Sequence, residues 1–414
     1  MKNYKHRSDC RLCRSTQLEL VLPIRPSAIG DAFVSKEQLS KPQELFPLDT
    51  YICLDCGHLQ NLDVVDPEIL FRNYTYRTSV SLGLVEHFKK YAQSVVEELR
   101  IPLGSLVVEI GSNDGSLLKA YKALGMKVLG VDPAKTIAET ARSEGVPTLP
   151  EFFTSSIARN ISEEQGLAKL ICANNVFAHA DNITDIVSGI RSLLAPDGAF
   201  VFEVSYVPDI IDNFVFDTIY HEHVSHHALI PLERFLKSLD MTLFHVERVA
   251  TKGGSIRGFA QPLSSGKRPR TKNLSQMMAE ENYRGIDQPQ IYRDFYKVIQ
   301  ERKHMVLNYL DEAVAQNKTI AAYGASTTAT TLLYHFELEK RLKFIIDDNP
   351  LKDGMFSPGA HIPVHASPAL YTYKPDIVII LAWQYADAII SKHERFTQAG
   401  GKFMIPLPDM KILP

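Results

Sequence analysis

The sequence predicts an α/β protein built from a small cysteine-rich unit followed by two open parallel-sheet units. Three observations predict it. Two Cys-x-x-Cys pairs, Cys10-Arg-Leu-Cys13 and Cys53-Leu-Asp-Cys56, lie near the start of the chain. A short apolar run, Leu106-Val-Val108, then turns through Gly111 and Gly115 into a helical pattern. An apolar strand, a glycine-bearing turn and a helix form the arrangement with which open α/β sheets hold a nucleotide. A related order of events begins again at Lys318-Thr-Ile-Ala-Ala-Tyr-Gly324. With 414 residues, a length of ~150 residues per domain gives about three domains. The expected boundaries are 1–72, 73–265 and 266–414.

Of five cysteines, four fall in the two pairs. Four thiolates at this spacing make a closed tetrahedral zinc site of the structural type. Cys10, Cys13, Cys53 and Cys56 are therefore the expected metal ligands. The 39 residues between the pairs leave room for a small inserted fold. A redox role needs a thioredoxin-like context that is absent. Haem attachment needs Cys-x-x-Cys-His, which Gly57 interrupts. The next segment, Phe71-Arg-Asn-Tyr74-Thr-Tyr76, is polar and aromatic and leads into an amphipathic helix over about 81–99. Tyr76 could pack between units or enter an active site.

The central turn reads Glu109-Ile-Gly111-Ser112-Asn113-Asp-Gly115. It is not Gly-x-Gly-x-x-Gly, and a carboxylate before the first glycine would repel a pyrophosphate. It would attract an ammonium or a sulfonium. About 20 residues later a second apolar run ends in Asp132-Pro133, where a carboxylate can take the hydroxyls of a ribose. These two stretches resemble the S-adenosylmethionine site of class I methyltransferases. Glu109, Gly111, Ser112, Asn113, Asp132, Pro133, Asn174 and His179 are the expected cofactor residues. The last two come from Asn174-Asn-Val-Phe-Ala-His179, after the fourth strand at the carboxyl edge. Strand and helix then alternate as a parallel sheet requires. A helix is expected over about 135–144, a third strand near 148–153, a helix over 183–194, a turn at 195–198 and a fifth strand from Ala199. Cys172 is expected as a small buried hydrophobe. Residues 263–285 are polar and basic and are expected to be a linker. A long helix over about 292–316 leads into the last unit. Its glycine turn is incomplete, so a structural or substrate-covering role is expected there.

Between the fifth strand and the next helix lies Asp217-Thr-Ile-Tyr220-His221-Glu222-His223-Val-Ser-His226-His227, with four of the 14 histidines in seven residues. It could be a solvated loop, a metal site through His221-x-His223, or an acid–base cluster over the cofactor. Methyl transfer to carbon needs a base to make an enolate. Histidine titrates near the working pH, a neighbouring carboxylate can orient it, and a tyrosine hydroxyl can stabilise an oxyanion. Tyr220, Glu222 and His223 supply one of each; His221 is the nearest competitor.

Nearly the whole chain resembles the sugar C-methyltransferases of deoxysugar biosynthesis. The paired Cys-x-x-Cys, Tyr76, Glu109-Ile-Gly-Ser-Asn-Asp-Gly, Tyr220-His-Glu-His223, Gly253-Gly-Ser-Ile-Arg257 and Tyr323-Gly-Ala carry the resemblance. It implies a structural zinc, S-adenosylmethionine in the middle domain, and a nucleotide-linked 4-keto-6-deoxyhexose as substrate, methylated at C3. It also implies His223 as base, assisted by Tyr76, Tyr220 and Glu222. His226 and His227 have no place in it. O- or N-methylation of another small molecule, or an inactive zinc-stabilised binding protein, are the alternatives. The net charge of −3 gives no reason to expect nucleic acid or a membrane surface, and the longest apolar runs are far short of a ~20-residue span. A soluble, cytoplasmic protein is expected.

Overall fold

A computed structural model of the chain describes residues 3–72, 78 and 83–414, with Lys252 described by its backbone alone. The N-terminal unit holds five short strands: β1 (Tyr4–His6), β2 (Leu18–Leu22), β3 (Thr50–Cys53), β4 (Leu59–Asn61) and β5 (Asp63–Val65). β1 pairs with β5, and β2, β3 and β4 form an antiparallel sheet. The sheet takes its fourth, edge strand from far along the chain. This is β11 (Ser225–His226), which lies beside β4. The histidine-rich loop is thus stitched into the cysteine-bearing unit.

The middle unit is a seven-stranded sheet. Its strands are β6 (Leu106–Ile110), β7 (Lys127–Val131), β8 (Thr148–Leu149), β9 (Ala168–Asn174), β10 (Leu194–Ser205), β12 (Met241–Val249) and β13 (Ser255–Pro262). They run in the order β12-β13-β10-β9-β6-β7-β8, parallel from β10 to β8 and antiparallel at β13 and β12. All five residues of β6 are buried, as expected of a strand covered on both faces. The Leu84–Leu99 helix buries Phe88, Tyr91, Ala92, Val95 and Leu99, one face at helical spacing. From β6 the chain runs first to β7 and β8 and then returns to β9 on the other side. The crevice between β6 and β9 is therefore the switch point where open α/β sheets place ligands.

The C-terminal unit holds β14 (Ile320–Tyr323), β15 (Ile345–Asp347), β16 (Val364–Ala366), β17 (Ile377–Ile380), β18 (Lys402–Ile405) and β19 (Lys411–Leu413) in the order β16-β15-β14-β17-β18-β19. All pairs are parallel except the last. One apolar core runs from Leu22 and Ile52 through Phe214, Phe216 and Ile219 to Leu332 and Met404. It joins the first unit, the segment before the histidine-rich loop, and the last unit.

Two expectations need correction. The basic stretch read as a linker contains a 13-residue helix, Lys272–Arg284, capped by the Thr271 side chain and closed by Gly285 in the left-handed region. It buries Leu274, Met277 and Glu281, and Glu281 reaches across to accept the backbone amides of Leu229 and Ile230 and the Tyr206 hydroxyl. The expected turn at 195–198 lies within β10. Leu194 pairs with Ala168 and Ala199 with Leu170, so the intervening residues bulge out of the ladder.

Candidate active site

A cavity of about 440 Å3 opens at the carboxyl edge of β6, β7 and β9. Glu109, Gly111, Ser112, Asn113, Asp132, Pro133, Asn174 and His179 all line it. Gly111 has φ +67°, and a Cβ there would lie 2.3 Å from Val176 Cγ2. Only glycine takes that dihedral without strain and leaves the backbone this close to the opposite wall. Asp132 accepts the amide of Asn113 at 2.8 Å on one oxygen and that of Ala134 at 2.9 Å on the other. Burial pushes this carboxyl above its ordinary range, against the pull of those two amides. Each oxygen keeps a second lone pair for a ribose hydroxyl.

Glu109 is buried, and neither its Oε2 nor Asn174 Nδ2 makes a well-formed hydrogen bond, although the Asn174 side chain lies close enough to favour the ionised carboxyl. Burial first, and then Asp132 and Asp114, raise the Glu109 carboxyl well above the usual range. A buried polar atom without a partner is costly and rare. A ligand with cationic and hydrogen-bonding groups would relieve both, so the residues fit S-adenosylmethionine. Tyr91 donates to Asn174 Oδ1 at 3.2 Å and fixes which way that amide points.

The four thiols of the N-terminal unit converge. Cys10 Sγ lies 3.6 Å from Cys56 Sγ, and Cys13 Sγ 3.5 Å from Cys53 Sγ. All four sulfurs lie within 4.8 Å of one another, and none is in a disulfide. A tetrahedron with Zn–S bonds of ~2.3 Å has edges of about 3.8 Å, so the donor set fits zinc in a closed, structural site.

The histidine-rich loop divides sharply. Tyr220 and Glu222 line the cavity. His223 donates through Nδ1 to the Thr218 carbonyl at 2.7 Å, which leaves its Nε2 as an acceptor, 2.9 Å from the Tyr220 hydroxyl. A fixed tautomer with a lone pair on Nε2 is what a general base requires. The ring of His223 lies 5.1 Å from that of His179. His221 turns away, its Nε2 donating to the Phe46 carbonyl at 3.2 Å, and burial lowers its pKa to about 4. His226 meets Asn61 Oδ1 at 2.7 Å, and His227 stacks on Phe177 at 5.4 Å. These two histidines pack against the first unit and the sheet. Tyr76 lies outside the described residues. Among the described residues, the four cysteines and a partly exposed Glu98, His245 and Glu247 group bring three or more ligand atoms within 4.8 Å of one another, and no histidine of the loop belongs to either group.

One residue that the sequence did not signal joins the wall, backed by arginines of the first unit. Asp181 lines the cavity and pairs with Arg7 at 2.9 Å and with Arg11 at 3.6 Å. Arg11 lies between two of the cysteines. Contacts between residues so far apart in the chain leave no local pattern.

The fold and site define a nucleotide-cofactor α/β enzyme whose strand-end carboxylates suit a cationic cofactor. Three family models match the chain: "Putative zinc binding domain" over 10–71, "Methyltransferase domain" over 84–284 and "C-methyltransferase C-terminal domain" over 250–408. The chain is 33% identical over 406 residues to C-methyltransferase NovU of Streptomyces niveus, covering 98% of this chain and 96% of that one. Among solved structures, magnesium protoporphyrin IX methyltransferase from Synechocystis PCC 6803 with bound SAM overlays at a TM-score of 0.32 and 16% identity, covering 43% of this chain and 80% of that one. The CcbJ methyltransferase from Streptomyces caelestis overlays at 0.34 and 13%, covering 42% and 89%. Neither overlay carries weight for the chemistry. The chain belongs to the S-adenosylmethionine-dependent C-methyltransferase family. It is a methyltransferase that uses S-adenosylmethionine and a structural zinc ion.

Proposed function

We propose that the enzyme methylates C3 of a nucleotide-linked 4-keto-6-deoxyhexose through an enolate, with His223 as the base. The observation that carries this is the His223 tautomer, with Nδ1 tied to Thr218 and Nε2 turned to Tyr220 at the wall of the cofactor cavity. Bound S-adenosylmethionine supplies an electrophilic methyl group. A C–H beside a ketone is too weak an acid to ionise fast unaided. His223 Nε2 takes that proton, and its electron pair moves onto the ketone oxygen. The Tyr220 hydroxyl, released from Nε2, then donates to the developing oxyanion. Glu222 lies in the same wall and balances the imidazolium. Tyr76 joins this constellation from the sequence alone. Support for a sugar acceptor comes from the resemblance across the Tyr220-His-Glu-His223 and Gly253-Gly-Ser-Ile-Arg257 motifs. A thiolate zinc site suits a reducing compartment, and no helix among the described residues is long and apolar enough to cross a membrane; the proposed location is the cytoplasm.

The test is incubation with S-adenosylmethionine and a panel of dTDP-, GDP- and CDP-linked 4-keto-6-deoxyhexoses, read by mass spectrometry. One member should gain a single methylene, carried on carbon by NMR. A methyl group found on oxygen or nitrogen would overturn the proposal.

A further inference from the structure

Arg11 sits between the metal ligands Cys10 and Cys13, yet it is only 1% exposed. Burying a guanidinium is costly unless its donors are matched. Nε makes no hydrogen bond, but the two Nη groups reach out of the zinc knuckle. Nη1 donates to the Val224 carbonyl and to Gln60 Oε1, the latter at 3.1 Å. Nη2 donates to the Asn61 carbonyl at 2.8 Å and pairs with Asp181 at 3.6 Å. Val224 is the residue after His223, and Asp181 stands two residues after His179 in the cavity wall. One planar fork therefore grips both the loop that carries the base and the wall that faces the cofactor.

The same peptide is held from two further sides. The Val224 amide donates to the Ala178 carbonyl at 3.1 Å, and the Val224 carbonyl also accepts the Asn61 amide at 3.1 Å. The bonds within the loop, from His223 to Thr218 and Tyr220, set its internal shape only. The loop is also held by His221 on the Phe46 carbonyl, by Thr331 on the Ile219 carbonyl and by the pairing of β11 with β4, but the Val224 peptide is the attachment next to His223, and Arg11 is its charged member. We infer that Arg11 is a positioning residue that ties the zinc knuckle to the base-bearing loop, so that an intact knuckle sets where His223 stands. The kinetic part of this inference rests on His223 as the base; the part concerning loop order does not.

Arg11→Lys keeps the charge and loses the fork. The full-length variant should keep about one zinc per chain, and its affinity for S-adenosylhomocysteine should stay within about threefold of wild type. Hydrogen exchange at 219–226, measured without substrate, should quicken about tenfold or more, because local opening follows the loss of fixed contacts. The kcat for methylation of the panel member that reacts should fall about 10- to 100-fold, the scale of a small misplacement, with the KM for S-adenosylmethionine nearly unchanged. Loop protection equal to wild type overturns the inference, and so does a loosened loop with unchanged kcat. If Arg11→Lys does not fold, the wild-type chain decides. On graded zinc chelation, the peptide covering 219–226 should lose protection in step with the one covering 8–15 and ahead of β6 and β9; a loop that stays protected after the zinc has left overturns the inference. A His223→Asn enzyme with wild-type turnover would remove the base assignment and leave the loop readout of Arg11→Lys intact.

Discussion

The middle and C-terminal units use the same device at the same place and put it to different ends. In the middle unit Asp132, after β7, accepts the amides of Asn113 and Ala134. In the last unit Asp347, at the end of β15, accepts the amides of Ala325 at 2.7 Å and Asn349 at 2.8 Å. Each acid braces the turn that follows the neighbouring strand. The difference lies at the end of that strand. Glu109 is buried with an oxygen that makes no well-formed hydrogen bond, whereas the Tyr323 hydroxyl is bonded to Asp348 and His393, each at 2.9 Å. A braced acid is therefore part of the architecture of the turn, and it does not by itself mark a cofactor site. The unsatisfied carboxylate beside it is the feature that calls for a cation.

The sharpest way to break this comparison is to ask whether the histidine loop, rather than the turn, governs cofactor binding. His223→Ala should cut methyl transfer by 10²–10⁴-fold, roughly 3–5.5 kcal/mol of barrier. Calorimetry with S-adenosylhomocysteine should show little change, because Tyr220 and Glu222 line the cofactor cavity and His223 stands behind them. Solvent deuterium exchange at the acceptor carbon, without cofactor, should vanish together with methylation. Exchange that persists in His223→Ala and vanishes in His221→Ala would move the base to His221. A smaller effect separates the two acids. Asp132→Asn should weaken S-adenosylhomocysteine by ~1.5–3 kcal/mol, the worth of hydrogen bonds to a charged group. Asp347→Asn should leave that affinity alone and lower only thermal stability, by about 1 kcal/mol. Equal losses in the two variants would place a cofactor contact in the C-terminal unit and end the distinction.

Much of the middle unit was legible because its signals are local. The apolar strands, the Gly111 turn and the acid at Asp132 lie within one short stretch, and the cysteine pairs announce their chemistry by spacing. The Lys272–Arg284 helix was missed because a run of basic residues stands before it. Its apolar stripe is only Leu274, Met277 and Met278, followed by a buried glutamate. His226 and His227 could not be placed for another reason. His226 bonds to Asn61, 165 residues away, and His58 lies 5.8 Å from His227. They serve the seam between the first unit and the sheet. Arg11 belongs to the same seam, and its neighbours in sequence signal only zinc.

The smallest expected effect tests Glu109 through pH. In the free enzyme burial holds its carboxyl well above the ordinary range, with Asp132 and Asp114 adding to the shift. A folded-state pKa raised above the unfolded value means that the folded protein holds this proton more tightly. The stability contribution is therefore most favourable at low pH and declines as pH rises above the ordinary glutamate value of ~4.3. The cofactor reverses that preference, since a bound ammonium or sulfonium favours the ionised form. Binding should then expel the Glu109 proton at pH values between its lowered pKa in the complex and its raised pKa in the free enzyme. Affinity for S-adenosylhomocysteine, whose ammonium persists through this range, should climb with pH across that window. The limit is tenfold per pH unit for one proton, and the curve should flatten once Glu109 is ionised in the free enzyme. Calorimetry in two buffers of different ionisation enthalpy counts the proton directly. Glu109→Gln should bind more weakly and lose the slope, while Asp347→Asn should keep it. A slope that survives in Glu109→Gln would assign the linked proton to Asp132, whose carboxyl burial also raises, and the unsatisfied oxygen of Glu109 would then need another occupant.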